Sequence, residues 1–292
     1  MTTVDQTRAF PVRLLESGSA AGAIAAAFLA TAANEPRVIS FDMGGTTAKI
    51  CLVEDGRPHI KHEFEAGQLE KFKPGSGLPL KLTVVDMIEI GAGGGSIAAV
   101  DDLGLLKVGP RSAGSVPGPV AYRHGGTEPT VTDSDLLAGY LDPDHFLGGE
   151  LSLALPDVRR ALDRLGAQLG VNTQTAAIGI QDLVIENMAA ATRMQLAEKG
   201  RDPRAYSLTA FGGAGPVHAY ALAKRLKLPR IIVPAGAGVM SAFGFLVAAP
   251  AVDDVRGYPT SLTSADWDKV ASLYADMEAR ARRHHENRAR PW

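Results

Sequence analysis

Three times in this chain a β-rich apolar run stops at a cluster of glycines. Val38-Ile39-Ser40-Phe41-Asp42 meets Gly44-Gly45, Leu82 to Ile90 meets Gly91-Ala92-Gly93-Gly94-Gly95-Ser96, and Tyr206 to Phe211 meets Gly212-Gly213-Ala214-Gly215-Pro216. Each run reads as a strand, and each cluster as the turn that ends it. A residue without a Cβ lets backbone amides come close to phosphate oxygens, and so a strand followed by a glycine-rich turn recurs in nucleotide sites. The repetition predicts an α/β chain built around such loops.

The intervening segments fill out that plan. Ala20 to Ala33 is a small-residue helix suited to packing against a sheet; Ala48 to Glu54 is a strand, Asp55-Gly56 a hairpin turn, and His59 to Phe64 the returning strand. Lys73 to Pro79 is an exposed Gly/Pro/Lys-rich stretch, and Ile97 to Val100 with Asp101-Asp102 reads as strand and turn. Gly109 to Pro129, dense in Gly and Pro, is an ordered loop excursion. Thr132 to Tyr140, Pro156 to Leu169 and Thr173 to Gly200 carry apolar residues at helical spacing. A helix from about Val217 to Leu226 follows the third glycine cluster, and Ile231 to Pro234 is a last short strand. We divide the chain into a core over residues 1–257 and a charged helical or frayed tail over 258–292.

Composition narrows the partners. With 292 residues, 46% apolar and 21% charged, the chain is long enough to bury roughly three quarters of its unfolded surface. A net charge of -2 gives no positive field for nucleic acid or an anionic membrane, and neither is expected as a partner. Cys51 is the single cysteine and sits in an apolar run, which fits a core residue in a reducing compartment and a cytoplasmic protein. Ala20 to Ala33 is too short for the roughly 20 residues that span a bilayer. Its glycines and the preceding Glu16 also argue against a signal peptide.

The chemistry concentrates in Asp42-Met43-Gly44-Gly45-Thr46-Thr47-Ala48-Lys49. Asp42 at a strand end can hold Mg²⁺, usually through water; Thr46 and Thr47 can donate to phosphate, and Lys49 supplies positive charge. No Walker A sequence occurs, and the Gly91 cluster lacks the following helix of a dinucleotide fingerprint. A nucleophile elbow, a His-Glu-x-x-His helix and a cysteine pair are also absent from the sequence. His218 falls at a helix N-terminus, where it is either a packing residue or a catalytic one. Asp133 and Asp135 either cap the next helix or reach into the site. Asp86 and Glu89, flanking Met87-Ile88, are separated on the strand, although one of them could serve as base or metal-shell carboxylate.

Taken in order, Ser17-Gly18-x-Ala20-Ala21-Gly22, Phe41 to Thr46, Ile90 to Ile97 (IGAGGGSI), Val108 to Gly114, Pro117-Gly118-Pro119, Pro129 to Asp133, Phe146 to Gly149 and Phe211 to His218 (FGGAGPVH) form a pattern. It resembles the hydantoinase A / 5-oxoprolinase / acetone carboxylase β family over roughly Pro11 to Gly257. The resemblance implies a partial actin-like ATPase (ribonuclease H-like) fold in which phosphate and adenosine loops enclose Mg-ATP. On that template the Asp42 loop with Gly44, Gly45, Thr46 and Thr47 is similar to a phosphate loop, and Gly93, Gly94, Gly95 and Ser96 also belong to the nucleotide site. Gly212, Gly213, Ala214, Gly215 and Pro216 look like the adenosine motif. Asp42, Lys49 and His218 are the catalytic candidates, and Asp42 is also the metal ligand. Ser19 and Ala121 depart from the family's usual Pro and Cys. Family members are typically more than twice this long and begin with another Asp-x-Gly-Gly-Thr loop. The chain is therefore expected to be the middle segment of the usual polypeptide, either a naturally split subunit or a truncated reading frame.

The activity implied is ATP-dependent phosphorylation of an amide or enolate oxygen, leading to cyclic amide hydrolysis. The alternatives are ketone carboxylation by a subunit of the same family and a non-catalytic half-site remnant that binds a partner. The partners implied are a hydantoinase B-type subunit, a separate N-terminal-lobe protein, and a cyclic amide or ketone as substrate.

Overall fold

The computed structural model describes residues 4–67, 75–249, 251 and 254–286. The chain divides into two compact units. The larger, Gly18–Lys61 with Val85–Leu246, contains all three glycine clusters. Its elements run α1 (Ser17–Ala32), β1 (Arg37–Met43), β2 (Ala48–Glu54), β3 (Arg57–Pro58), β4 (Met87–Ile90), β5 (Ser96–Val100), β6 (Leu106–Ser112) and α2 (Val131–Leu137). After these come α3 (Leu155–Leu169), α4 (Thr173–Glu198), β7 (Ser207–Phe211), α5 (Gly215–Leu226), β8 (Ile231–Ile232) and α6 (Met240–Val247).

The sheet order is β8-β7-β1-β2-β3, with β4 also paired to β2. β8, β7 and β1 run parallel, while β2 folds back on β1. Alternation along β1 and β2 separates two faces. Ile39, Phe41, Met43, Ala48, Ile50 and Leu52 enter the main core, which takes Leu162, Ile180, Val184, Met188 and Leu222 from α3, α4 and α5. Val38 and Val53 on the other face pack on Ala27 and Ala30 of α1. Alanines suit α1 because small side chains let a helix lie close to a sheet, and Ala25 and Ala26 of the same helix cluster with Phe211. Gly244 of α6 comes so near Ala21 that a Cβ there would overlap its carbonyl.

Several boundaries differ from the sequence reading. The returning strand expected over His59 to Phe64 starts earlier and is broken: Arg57–Pro58 pair with β2, the His59 N–H still donates to Leu52 O at 2.9 Å, Ile60–Lys61 form a separate short strand, and β4 takes the rest of the β2 edge. The loop expected from Gly109 is still strand as far as Ser112, with an irregular register between Val108 and Ser112. Met240–Val247, for which the sequence reading gives no element, form helix α6.

The smaller unit comprises Met1–Ser17, His62–Val84 and Val247–Trp292. Strands Phe64–Ala66 and Leu78–Leu80 pair antiparallel there, and a helix spans Trp267–Glu286. Arg256 meets Asp276 at 2.9 Å, and Arg280 pairs with Asp254. The helix accounts for much of the charged tail. The exposed stretch read from Lys73 falls partly, and Arg288 to Arg290 wholly, outside the described residues. Among the described residues no helix is long and apolar enough to cross a membrane.

Candidate functional site

Parallel pairing of β1 with β7 puts Asp42 opposite Phe211, so the first and third glycine loops leave the same carboxyl edge of the sheet. In open α/β sheets that edge is where ligands bind. The first loop is the tight turn of the β1–β2 hairpin, closed by the Gly44 N–H donating to Thr47 O at 3.0 Å. Gly45 and Thr46 are exposed, and a Cβ at Gly44 or Gly45 would meet nothing within 4 Å. In the third loop Gly213 is equally open. Among the described residues none accepts a hydrogen bond from the amides of Gly45, Thr46 or Gly213.

The first and third loops are joined by backbone. The Ala214 N–H donates to Met43 O at 2.9 Å. Gly212 has φ +84°, and a Cβ on it would lie 2.4 Å from Asp42 Oδ1 and 2.5 Å from Met43 O. Both the left-handed conformation and the close approach to the carboxylate require glycine there.

Asp42, Lys49 and Glu89 form one cross-strand row over β1, β2 and β4. Directly opposed residues share a face of the sheet, so a cation stands between two carboxylates. Lys49 Nζ lies 3.6 Å from Glu89 Oε1. Burial pushes the Asp42 carboxyl up from its ordinary value, against a hydrogen bond from Ser241 and the charge of Lys49. Ser241 Oγ donates to Asp42 Oδ2 at 3.4 Å from α6, a contact no motif signals in the sequence. A half-buried carboxylate is a natural partner for a cation, which favours its ionised form against the cost of burial. Among the described residues there is no cluster of three or more His, Cys, Asp or Glu placed to hold a metal. A single carboxylate fits Mg²⁺, which keeps waters and phosphate oxygens as its other ligands.

The second glycine cluster behaves differently. Gly93, Gly94, Gly95 and Ser96 are buried, and their amides are already paired. Gly94 N–H donates to Gly44 O at 3.0 Å, Gly95 N–H to Gly45 O at 2.7 Å, Gly93 N–H to Ser96 Oγ at 2.9 Å and Ser96 N–H to Gly93 O at 3.0 Å. A Cβ at Gly93 would sit 2.6 Å from the backbone of Gly45 and Thr46. These glycines permit close approach to protein backbone, and their donors do not face an open loop.

His218 is buried as well. It is 2% exposed, inside the first turn of α5, with Nε2 3.2 Å from Asp135 Oδ2 but off the axis a hydrogen bond needs. Asp135 in turn accepts from Gln181 Nε2 at 3.2 Å. The pair ties α5 to α2 and α4 within the core, so His218 does not share the open edge with Asp42. Asp133 completes a capping box with Thr130 and accepts from the Val120 and Ala121 amides at 3.2 and 2.8 Å. It organises the loop before α2 rather than the site. Asp86 pairs with Lys199 and lies 3.8 Å from Lys61, away from Asp42 in register.

A β-hairpin with open amides, a carboxylate and a lysine at the carboxyl edge of a parallel core defines an α/β protein with an anion- and cation-compatible loop site. Comparison with known proteins gives this architecture a family. The Hydantoinase/oxoprolinase family matches residues 1–254, and the chain belongs to that family. It is 38% identical over 234 residues to the acetophenone carboxylase gamma subunit of Aromatoleum aromaticum, covering 80% of this chain and 31% of the relative. It is 36% identical over 254 residues to caprolactamase subunit alpha of Pseudomonas jessenii, covering 86% and 35%. The nucleotide-free structure of acetone carboxylase superposes with a TM-score of 0.69 at 32% identity, over 78% of this chain and 31% of that one. The chain thus spans about a third of the length of these relatives.

Proposed function

We propose that this chain contributes the Mg-ATP phosphate site of an ATP-dependent enzyme that phosphorylates an amide oxygen and so opens a cyclic amide. The reading rests on one observation above all: the Asp42 carboxylate, Lys49 and the open Gly45, Thr46 and Gly213 amides share one sheet edge. The similar acetone carboxylase and caprolactamase structures, both of ATP-dependent enzymes, support it. On this reading the fold is the actin-like ATPase type, with the β1–β2 hairpin as phosphate loop and Gly212 to Pro216 as adenosine loop.

In such a site Asp42 would hold the outer shell of Mg²⁺, and bound Mg²⁺ would neutralise charge on the β- and γ-phosphates. The Gly45 and Thr46 amides and the Thr46 and Thr47 hydroxyls would donate to phosphate oxygens, and Lys49 would stabilise charge developing during transfer. The amide oxygen would attack the γ-phosphorus as the bond to ADP breaks. Water would then add to the activated carbon and the C–N bond would break as the nitrogen takes a proton, leaving an acyl phosphate, and a second water would displace phosphate to give the carboxylate. We assign part of that second stage to a hydantoinase B-type subunit. The remaining polypeptide of such enzymes, in this chain or a separate N-terminal-lobe protein, would complete the nucleotide pocket.

The test is ADP release by the complex with a B-type subunit, offered hydantoin, 5-oxoproline and caprolactam in turn, and ketones with bicarbonate in parallel. Lactam-dependent ADP release with ring opening, lowered at least about 100-fold by Asp42→Ala, is the expected result. Ketone-dependent release alone would replace amide hydrolysis with carboxylation, the activity named for the acetophenone and acetone carboxylase relatives. Release unaffected by Asp42→Ala would remove the hairpin from the site.

A further inference from the structure

The open hairpin is held from beneath. Thr132, in the first turn of α2, is buried, and both its N–H and its hydroxyl donate to Gly94 O, at 2.7 and 2.9 Å. Gly94 passes the contact on through its own N–H to Gly44 O, and Gly95 does the same to Gly45 O. Gly93 fits so closely under the turn that the Gly45 and Thr46 backbone leaves no room for a Cβ, and Gly94 leaves none beside Thr132 Oγ1. From below, the Gly91 loop is tied to further strands, with the Ala113 N–H donating to Gly95 O at 2.8 Å. The hairpin tip makes a two-residue turn with little of its own to fix its shape, and unpaired amides aimed at a ligand gain strength only when their direction is set beforehand.

We infer that the buried Gly93-Gly94-Gly95 loop is a buttress for the Asp42 hairpin rather than a second phosphate loop, and that Thr132 is the positioning residue that sets it. The hydroxyl is the informative atom. The Thr132 N–H would still satisfy Gly94 O if the hydroxyl were lost, so removing it leaves no orphaned carbonyl; it also takes a side-chain partner from Tyr122, which the serine variant keeps. The functional part of the inference rests on the Mg-ATP reading above, whereas the mechanical part does not.

The experiment combines residue-resolved amide exchange with calorimetric titration of Mg-ATP, on the full chain and on Thr132→Val, Thr132→Ser and Thr132→Ala. In Thr132→Val we expect the Gly94 and Gly95 amides to exchange about tenfold faster, as for local opening after loss of one hydrogen bond. Amides of the β1–β7 ladder should keep their protection. Thr132→Ser, which keeps the hydroxyl, should restore protection, and Thr132→Ala should behave as the valine variant if valine does not fold. Nucleotide affinity should fall with the hairpin's protection and recover in the serine variant. Unchanged exchange at Gly94 and Gly95, or a uniform rise over the whole sheet, would overturn the buttress. A wild-type chain that binds no Mg-ATP would overturn the phosphate-site reading, while the exchange data would still decide the buttress.

Discussion

The Gly44-Gly45 turn and the Gly91 to Gly95 loop have nearly the same composition and opposite fates. At Gly45 a Cβ would find open space, and the amide has no partner among the described residues; at Gly93 a Cβ would strike backbone at 2.6 Å, and the amide is paired. The lesson is that a glycine cluster marks a place where something comes close to the backbone without saying whether that is a ligand or another segment of the same chain. Here the second cluster approaches the first, and only the first is left facing outward.

This contrast can be broken most severely at Gly93. Gly93→Ala must displace the Gly45–Thr46 backbone, and we expect a loss of about 3 kcal/mol in urea unfolding. Gly45→Ala, by the same assay, should cost less than about 0.5 kcal/mol because nothing stands in its way. Equal costs at the two positions would mean that the two loops are not differently packed.

The opposite end of β2 sharpens the comparison, because there the polar groups are closed upon one another. Burial pushes the Glu54 carboxyl up, but hydrogen bonds from Tyr206 at 2.5 Å, His59 at 3.0 Å and Arg201 at 2.9 Å outweigh it and hold the pKa down to about 2. A lowered carboxylate pKa stabilises the fold above the unfolded value and is lost as pH falls through the folded one. Stability should therefore decline between pH 4.5 and about 2. After discounting for solvent screening, Glu54→Gln should cost about 1–2 kcal/mol at pH 7 and flatten that acid decline.

At the open end the sign reverses. The raised pKa of Asp42 means that the folded chain binds its proton more tightly than the unfolded chain does. Its contribution is favourable at low pH, shrinks as pH rises through the folded pKa, and is a net cost above it. Asp42→Asn should accordingly melt at or slightly above the wild-type temperature at pH 7, with no gain at pH 3. A fall at pH 7 would give Asp42 a structural role. The smallest effect concerns Cys51, buried in β2, whose thiol burial pushes up to about 12. We expect no reaction with a thiol reagent in the native state and full reaction after unfolding.

Much of the hairpin was legible because its signals are local. The Ala48–Glu54 strand has the bounds read from its apolar pattern, Asp42 is the last residue but one of its strand, and the alanines of α1 pack on the sheet as their size suggests. What stayed hidden depends on tertiary contact. His218 was placed correctly at the start of a helix, but its burial against Asp135 comes from α2, far away in sequence. Thr132 and Ser241 carry no motif, since one acts through a carbonyl and the other through a carboxylate brought near by folding. Helix α6 escaped notice because glycines punctuate its sequence, and Gly244 is there for contact with Ala21 rather than for a turn.

The central claim, that the open hairpin and not the buried loop meets the nucleotide, is tested most directly by calorimetric titration of Mg-ATP into the chain and its Asp42→Ala variant. We expect binding by the wild type that falls at least about 100-fold in the variant, since a charged partner and its hydrogen bonds are lost together. Equal affinity in the two proteins, or no binding by either, would contradict the account.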